Sequence, residues 1–193
     1  PRRLREAIAD RDFYGAMAER GDPAAFFRPA PPDVRVRARP ARLPRFRPAD
    51  GVCEDLRFES PYVPANPRER DGYLRHRANR VAHVRHWRHA DGPRPTVVAI
   101  HGFSADLHLL NEWFFALPWL YRLGFDVALF TLPFHGPRQT RFSLFSGHGF
   151  FAGGLNCINE AFGQAVQDFR VLLGHLEARL GAKQVGVMGG SLG

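Results

Sequence analysis

The sequence has few cysteines and no long apolar segment. Two cysteines, Cys53 and Cys157, occur in 193 residues, far apart and outside any CxxC pattern. We interpret both as reduced thiols, a usage that favours a cytoplasmic protein. No stretch approaches the roughly 18 consecutive apolar residues that predict a membrane-spanning helix. The length accommodates one domain with a substantial hydrophobic core.

Lysine is almost missing as well. Of 27 basic residues only Lys183 is a lysine, and the formal net charge is +8. Residues 1–95 contain 21 basic and 13 acidic residues, whereas residues 96–193 contain six of each. No zinc finger, basic zipper or aromatic-interleaved RNA motif accompanies this charge, which argues against nucleic-acid binding. We interpret the excess as a solvated, arginine-rich surface, with an anion-attracting face as the alternative.

Three histidines lie within the segment RVAHVRHWRH, residues 80–89. Its alternation predicts a β-strand near a sheet edge. Because successive side chains on a strand point to opposite faces, His83 and His89 share one face and His86 occupies the other. The three rings cannot converge on one ion, so we expect no metal site, and nothing else in the sequence calls for a cofactor.

The first 50 residues differ in character from the rest. Residues 1–20 carry apolar residues at spacings of four and five, which predicts one or two short helical turns. Residues 28–50 contain six prolines and no regular period, which predicts an extended segment wrapped over the surface. We therefore divide the chain into a basic, Pro/Arg-rich extension, residues 1–50, and a domain, residues 51–193. That domain begins with a predicted strand in 54–64, ended by proline.

Strands and helices alternate clearly after residue 92. The sequence predicts, in order, a strand at 96–100, a helix at 109–123 kinked or ended by Pro118, a strand at 125–132, a helix at 158–180 and a strand at 183–188. This order predicts an α/β fold, with a mostly parallel sheet and flanking helices. The loops 101–103, 133–136 and 189–193 follow successive strands and should gather at one rim, where such sheets bind ligands.

The last of these loops has the pattern G-x-S-x-G, from Gly189 to Gly193. Between a buried strand and a helix, this pattern predicts a nucleophile elbow, a sharp turn that projects the Ser191 hydroxyl into a cleft. The turn leaves no room for side chains at its flanking glycines, and the Leu192 amide can donate to a developing oxyanion. The alternative is an ordinary glycine-rich turn. A phosphate-binding P-loop is excluded, because no lysine-serine or lysine-threonine pair accompanies it.

Residues 92–193 resemble the first half of the α/β-hydrolase superfamily, and are similar to poorly characterised bacterial members. The resemblance rests on His101-Gly102-Phe103, on the loop LPFHGPR at 132–138, and on GGSLG. It implies that the amide of Phe103 is the second oxyanion donor and that His101 is a positioning residue. In this superfamily the triad acid and histidine follow the serine. We therefore expect both beyond Gly193, in a longer protein, so that the chain is an inactive fragment truncated after the nucleophile strand.

The resemblance implies a serine hydrolase of esterase, lipase or thioesterase type, acting through an acyl-enzyme on Ser191. Its substrate would be a small acyl compound, with a preference for apolar esters. A non-catalytic module that uses the basic surface to bind an acidic partner is the alternative.

Other residues near the rim leave alternatives open. We expect His135 and Arg138 to contact bound substrate or to brace their loop, since a triad base at His135 would break the superfamily pattern. The phenylalanine-rich loop 142–151 predicts either a mobile apolar wall for an acyl chain or a plug for a small core. His148, between two glycines, is expected to face solvent or to brace this loop.

Overall fold

The fold is built on one six-stranded sheet, seen in a computed structural model that describes residues 2–104 and 108–193. The strands are Arg37–Pro40 (β1), Gly51–Glu59 (β2), Val81–His89 (β3), Thr96–Ile100 (β4), Asp126–Phe130 (β5) and Val185–Gly189 (β6). Their order across the sheet is β1-β2-β3-β5-β4-β6. The predicted α/β class is confirmed, with β2, β4, β5 and β6 close to their predicted positions.

Helices flank the sheet. They are Arg2–Glu19 (α1), Pro23–Phe26 (α2), Arg70–Leu74 (α3), His108–Phe114 (α4), Leu117–Arg122 (α5), His148–Phe151 (α6) and Gly154–Ala178 (α7), with short 3₁₀ turns at Arg77–Arg80 and Gly136–Arg138. Within the described residues, no helix combines the length and apolarity needed to cross a bilayer.

The sheet is mixed, so the expectation of a mostly parallel sheet is wrong. β4 pairs in parallel with both β5 and β6, whereas the β1–β2, β2–β3 and β3–β5 pairs are antiparallel. β3 lies inside the sheet rather than near an edge, and most of its side chains are buried. Its polar residues led to the prediction of a strand near an edge, because the partners that allow these residues to be buried are remote in sequence. Arg85, for example, binds Asp55 of β2 at 2.8 Å.

Two apolar clusters cover the two faces of the sheet. On one face α7 packs Leu172 and Leu176 against Val84 and Phe130. On the other face, Leu117 and Tyr121 of α5 cover residues that include Trp87, Val127 and Leu129. Each large side chain buried in this way contributes about 1.5–3 kcal/mol through removal of apolar surface from water. The clusters hold the central strands, and with them the loops at their ends, in fixed positions.

Helix α4 and helix α5 replace the single helix predicted at 109–123. The break falls at Ala116, whose φ of 48° is left-handed, and Pro118 lies in the first turn of α5. Proline is tolerated there because first-turn amides have no partner within the helix. Pro118 therefore follows the break and neither kinks nor ends the helix. Gly124, with φ of 94°, ends α5 as predicted.

The N-terminal segment forms one 18-residue helix, longer than the predicted turns. Polar contacts hold it against the rest of the protein: Asp10 accepts hydrogen bonds from Asn66 and Arg68, both at 2.8 Å. Tyr14 donates to Glu160 of α7 at 2.5 Å. These long-range partners explain why the sparse apolar pattern of α1 underestimates its length.

Strand β6 forms one edge of the sheet and is less buried than its sequence predicts. Val187 is 55% exposed, whereas Val98 of the neighbouring strand is fully buried. The predicted identity of the strand is right, and its exposure follows from its position at the edge of the sheet.

Candidate functional site

Three loops meet at one rim of the sheet, as predicted. Strands β4, β5 and β6 are parallel, and Ile100 at the end of β4 pairs with both Phe130 and Gly189. Since all three strands end at the same level, the loops that follow them start side by side. The rings of His101 and His135, from two of these loops, lie 4.9 Å apart.

The third loop is a tight turn centred on Ser191. Its backbone φ is 57°, in the left-handed region that non-glycine residues seldom occupy. The amide of Gly190 donates to the carbonyl of Ile100 at 3.2 Å, and that of Gly193 donates to the carbonyl of Gly190 at 3.1 Å. Ser191 is exposed, so its hydroxyl is available at the rim. Strain of this kind is concentrated at functional sites because it fixes the direction of a side chain.

The glycines of the motif are required by close backbone contacts. A Cβ atom on Gly189 would collide with the backbone of Gly193, and one on Gly193 would collide with the carbonyl of Ile100. A Cβ on Gly190 would lie 3.2 Å from the ring of Phe114. The G-x-S-x-G spacing is therefore a steric condition of the turn.

The loop after β4 lies directly against this turn. A Cβ on Gly102 would lie 2.9 Å from the carbonyl oxygen of Gly190 and 3.2 Å from the Cβ of Ser191. The amides of Phe103 and Leu192 are thus on adjoining loops beside the serine. Within the part of the chain that the structure describes, neither amide donates to a protein acceptor.

His101 is buried, and its ring contacts two backbone groups. Nδ1 lies 2.8 Å from the carbonyl oxygen of Gly102, and Nε2 accepts a hydrogen bond from the amide of Leu132 at 3.1 Å. These contacts require the neutral tautomer with the proton on Nδ1. The ring connects the loops after β4 and β5, which fits the predicted positioning role and leaves no nitrogen lone pair for a general base.

His135 and Arg138 lie beneath the rim. Arg138 is completely buried and binds the carboxylate of Asp168 at 2.7 Å and the carbonyls of Asn79 and Thr131 at 2.9 and 3.1 Å. The ring of His135 is also buried, with Nδ1 2.8 Å from the carbonyl of Pro133. Both residues therefore brace the loop after β5, which is one of the two predicted roles, the other being contact with bound substrate. These contacts of the His101 and His135 rings are with backbone groups of the two loops and not with Ser191.

The phenylalanine-rich loop fills a small core, which is one of its two predicted alternatives. Phe150 is fully buried in a cluster with Tyr62, Tyr73 and Phe134, where it fills a small core. Phe142, in contrast, is 84% exposed.

Other rings of the same loop reach the rim. Those of Phe145 and Phe151 lie 5.8 and 4.9 Å from the ring of Phe103. Phe103, Phe145, Phe151 and Phe114 form a partly exposed apolar surface beside Ser191. His148 opens α6, half-buried, with its ring 5.2 Å from that of Phe145.

The cysteines and histidines away from the rim form no second reactive centre. Both cysteines are free, and burial raises the pKa of Cys53 to about 12 and that of Cys157 to about 11. Neither is a nucleophile near neutral pH. Within residues 2–104 and 108–193, no three His, Cys, Asp or Glu side chains come together as a metal site.

Sequence reasoning missed the polar groups that support the rim. Glu160, Gln164 and Asp168 are all buried on α7, and Asn79 donates to Gln164 and accepts from the amide of Phe134. A signal was available, since these three polar residues recur every four positions on the helix face that also carries Ala161, Ala165 and Leu172. That spacing places them in one row against the core, where each needs a partner.

Comparison with curated proteins gives two uncharacterized proteins of Mycobacterium tuberculosis, from strains CDC 1551 / Oshkosh and H37Rv. Each is 30% identical over 196 residues, a match that covers 97% of this chain and 44% of the relative. The chain thus spans less than half the length of the curated relatives it matches. No protein-family model matches the sequence.

Comparison with solved structures gives acetyl xylan esterases. Acetyl xylan esterase 1 from Thermoanaerobacterium sp. is 20% identical with a TM-score of 0.56, over 83% of this chain and 46% of the esterase. A candidate acetyl xylan esterase from Bacteroides fragilis is 17% identical with a TM-score of 0.58. The match covers 95% of this chain and 47% of the Bacteroides chain. At such identities the likeness concerns the fold alone. This chain has an α/β-hydrolase-like fold.

Proposed function

We propose that this chain carries the nucleophile and the oxyanion donors of a serine hydrolase that cleaves carboxylic esters. The observation that carries the proposal is the left-handed turn at Ser191, packed against the Gly102–Phe103 loop. An exposed serine on a strained turn that adjoins a second loop supports this proposal, because acyl transfer needs a nucleophile close to two oxyanion donors. We assign those donors to the amides of Phe103 and Leu192. The esterase fold of the structural neighbours supports the same reaction class.

In the proposed reaction Oγ of Ser191 attacks the ester carbonyl carbon, and its proton passes to a general base. The carbonyl oxygen becomes an oxyanion that accepts hydrogen bonds from the amides of Phe103 and Leu192. Collapse of the tetrahedral intermediate breaks the bond to the alkoxide, which leaves as an alcohol after protonation. Water then attacks the acyl-serine, releasing the carboxylic acid and restoring the hydroxyl. Loss of one oxyanion donor typically costs about 2.7–4 kcal/mol of barrier.

The general base and its carboxylate partner are proposed to come from sequence outside residues 1–193. The described histidines support this, because the nitrogens of His101 serve the backbone and His135 is buried against its own loop. The relatives are more than twice as long as this chain, so such residues have a place in proteins of this kind.

The proposed substrate is a small ester with an apolar acyl or alcohol part. Support comes from the exposed rings beside the turn, where Phe114 approaches Gly190 and Phe151 packs on Phe103. Burying part of an ester against these rings stabilises its complex by about 25 cal/mol for each Å² of apolar surface removed from water.

Ester hydrolysis by the intact protein tests the proposal. We expect turnover of p-nitrophenyl acetate and butyrate, with higher kcat/KM for butyrate, and loss of that turnover in Ser191→Ala. Ser104→Ala is the matched control, since Ser104 is also exposed with a left-handed φ of 56°. Equal turnover by Ser191→Ala and by the unsubstituted protein contradicts the proposal. Folded protein without any turnover favours the alternative of a binding module on a hydrolase scaffold.

A further inference from the structure

A groove of about 650 Å³ lies along the β1 side of the sheet, between the 31–39 segment and β2. Four arginines line it: Arg35, Arg37, Arg39 and Arg57. We call it the arginine groove. Its volume is within the range of small-molecule sites, roughly 300–1,000 Å³. β1 and β6 are opposite edges of the sheet, five strand spacings or roughly 24 Å apart, so this groove is separate from the rim around Ser191.

The strand register brings like charges together in the groove. Arg37 of β1 is the direct cross-strand partner of Arg57 of β2. Like charges in this position destabilise a sheet. The next pair on the same face of the sheet is Arg39 and Asp55, but the Asp55 carboxylate is held by Arg85 through two hydrogen bonds of 2.8 and 3.2 Å. The carboxylate that faces Arg39 is therefore already bound to another guanidinium.

Ion pairs do not offset these charges. In the described part of the chain, no salt bridge involves any of the four groove arginines. Two further carboxylates, Asp33 and Glu59, line the groove and are exposed to solvent. Four guanidinium groups thus face two carboxylates that Arg85 does not hold, which leaves the groove with a positive charge.

Protection of the sheet edge explains only part of this arrangement. Charged residues and proline on a short edge strand prevent pairing with other chains, and β1 has the sequence RARP. Arg57, however, is on β2, which is paired on both sides by β1 and β3. An exposed arginine there, opposite another arginine, has no role in protecting an edge.

We propose that the arginine groove binds the phosphate group of a small phosphorylated molecule, held between Arg37 and Arg57. Guanidinium groups donate paired hydrogen bonds that match phosphate oxygens, and a dianion offsets two positive charges where a carboxylate offsets one. The apolar lining residue Val81, which is half-buried and lies opposite Glu59 on the same face as Arg57, would contact the remainder of the molecule. The inference goes beyond the proposed ester hydrolysis, because it concerns a different edge of the sheet.

Calorimetric titration of the intact protein with phenyl phosphate tests the assignment, with inorganic phosphate and benzoate as comparison ligands. We expect saturable binding of phenyl phosphate at low ionic strength and weaker binding of inorganic phosphate. Benzoate should bind about tenfold more weakly than phenyl phosphate, because it carries one charge less. No binding of either phosphate, or equal affinity for benzoate, overturns the proposal.

Variants at the two facing arginines locate the site. Arg37→Gln and Arg57→Gln should each weaken phenyl phosphate binding about tenfold, whereas the exposed Arg20→Gln at the end of α1 should not. Arg57→Gln should also leave the ligand-free melting temperature unchanged or raise it, since it removes a like-charge contact. Equal weakening by Arg20→Gln indicates general charge attraction and contradicts the assignment. A lowered melting temperature of Arg57→Gln with unchanged binding assigns that arginine a structural role and also contradicts it.

Discussion

The Nδ1 atom of His101 lies 2.8 Å from the carbonyl oxygen of Gly102. That carbonyl belongs to the same planar peptide unit as the amide of Phe103, one of the proposed oxyanion donors. A hydrogen bond to one end of the plane therefore fixes the direction of the N–H at the other end. Because Nε2 also accepts from Leu132, the orientation of this amide depends on the loop after β5.

Replacing His101 should weaken stabilisation of the transition state more than it weakens substrate binding. We expect His101→Ala to lower kcat for p-nitrophenyl butyrate about a hundredfold, with a small change in KM, because the Phe103 amide loses its fixed direction. His101→Asn should restore part of the rate, since an amide side chain can donate to the Gly102 carbonyl. An unchanged kcat in folded His101→Ala contradicts the positioning role.

A substitution at Gly102 tests the contact between the loop after β4 and the turn at Ser191. A methyl group there would press on the Gly190 carbonyl and on Ser191, so Gly102→Ala should displace one loop and reduce kcat/KM about a hundredfold. Gly174→Ala on α7 is the control, since its Cβ would meet no atom within 4 Å. That control should keep full activity and gain about 0.5–1 kcal/mol of stability. Full activity in Gly102→Ala would mean that the loops do not need this close approach.

The buried pair of Arg138 and Asp168 should dominate the stability of the loop after β5. Arg138→Met leaves the Asp168 carboxylate buried without its cation, so the free energy of unfolding in urea should fall by about 3–5 kcal/mol. Adding Asp168→Leu to Arg138→Met should recover part of this loss, because no buried charge then remains. A loss below about 1 kcal/mol in Arg138→Met shows that water reaches the carboxylate.

His86 makes stability depend on pH. Burial lowers the pKa of its ring to about 4, with further contributions from nearby charged groups, and neither ring nitrogen has a hydrogen-bond partner among the described residues. The unfolded chain takes up a proton on this ring near pH 6.5, whereas the folded protein takes it up only near pH 4. Protonation between these two pH values therefore favours the unfolded state. The contribution is lost as the pH falls from about 6.5 to about 4, and amounts to about 3 kcal/mol.

Urea unfolding of His86→Leu between pH 8 and pH 4.5 checks this contribution. At pH 8 the variant should be at least as stable as the unaltered protein, because leucine fills the site without unpaired polar groups. At pH 4.5 the variant should be the more stable of the two. Burial also lowers the pKa values of His76 and His175, so some acid sensitivity should remain in the variant. Parallel stability curves for the two proteins contradict the assignment to His86.

The sequence identifies the strands and loops of the rim well, because their signals are local. Thr96–Ile100 is a short apolar run that ends at a His-Gly pair, and the spacing of Gly189 and Gly193 reflects contacts within five residues. The position of β3 inside the sheet could not be predicted in this way. Its buried polar residues resemble those of a sheet edge until their distant partners are known, such as Asp55 for Arg85.

The alternatives left open for His135 and Arg138 depended on the same kind of information. A histidine and an arginine in a rim loop can face substrate or the core, and the choice rests on Asp168 and Asn79, which lie 30 and 59 positions from Arg138. Local patterns thus predict the tight turn at Ser191, while the buried contacts that brace the neighbouring loop appear only in three dimensions.

The position of covalent modification tests the central claim most directly. The intact protein is treated with a fluorophosphonate, digested, and its peptides are measured by mass spectrometry. The account predicts one phosphonylated site, on Ser191, with none in Ser191→Ala and unchanged labelling in Ser104→Ala. Modification at another serine, with Ser191 unmodified in folded protein, would contradict the account.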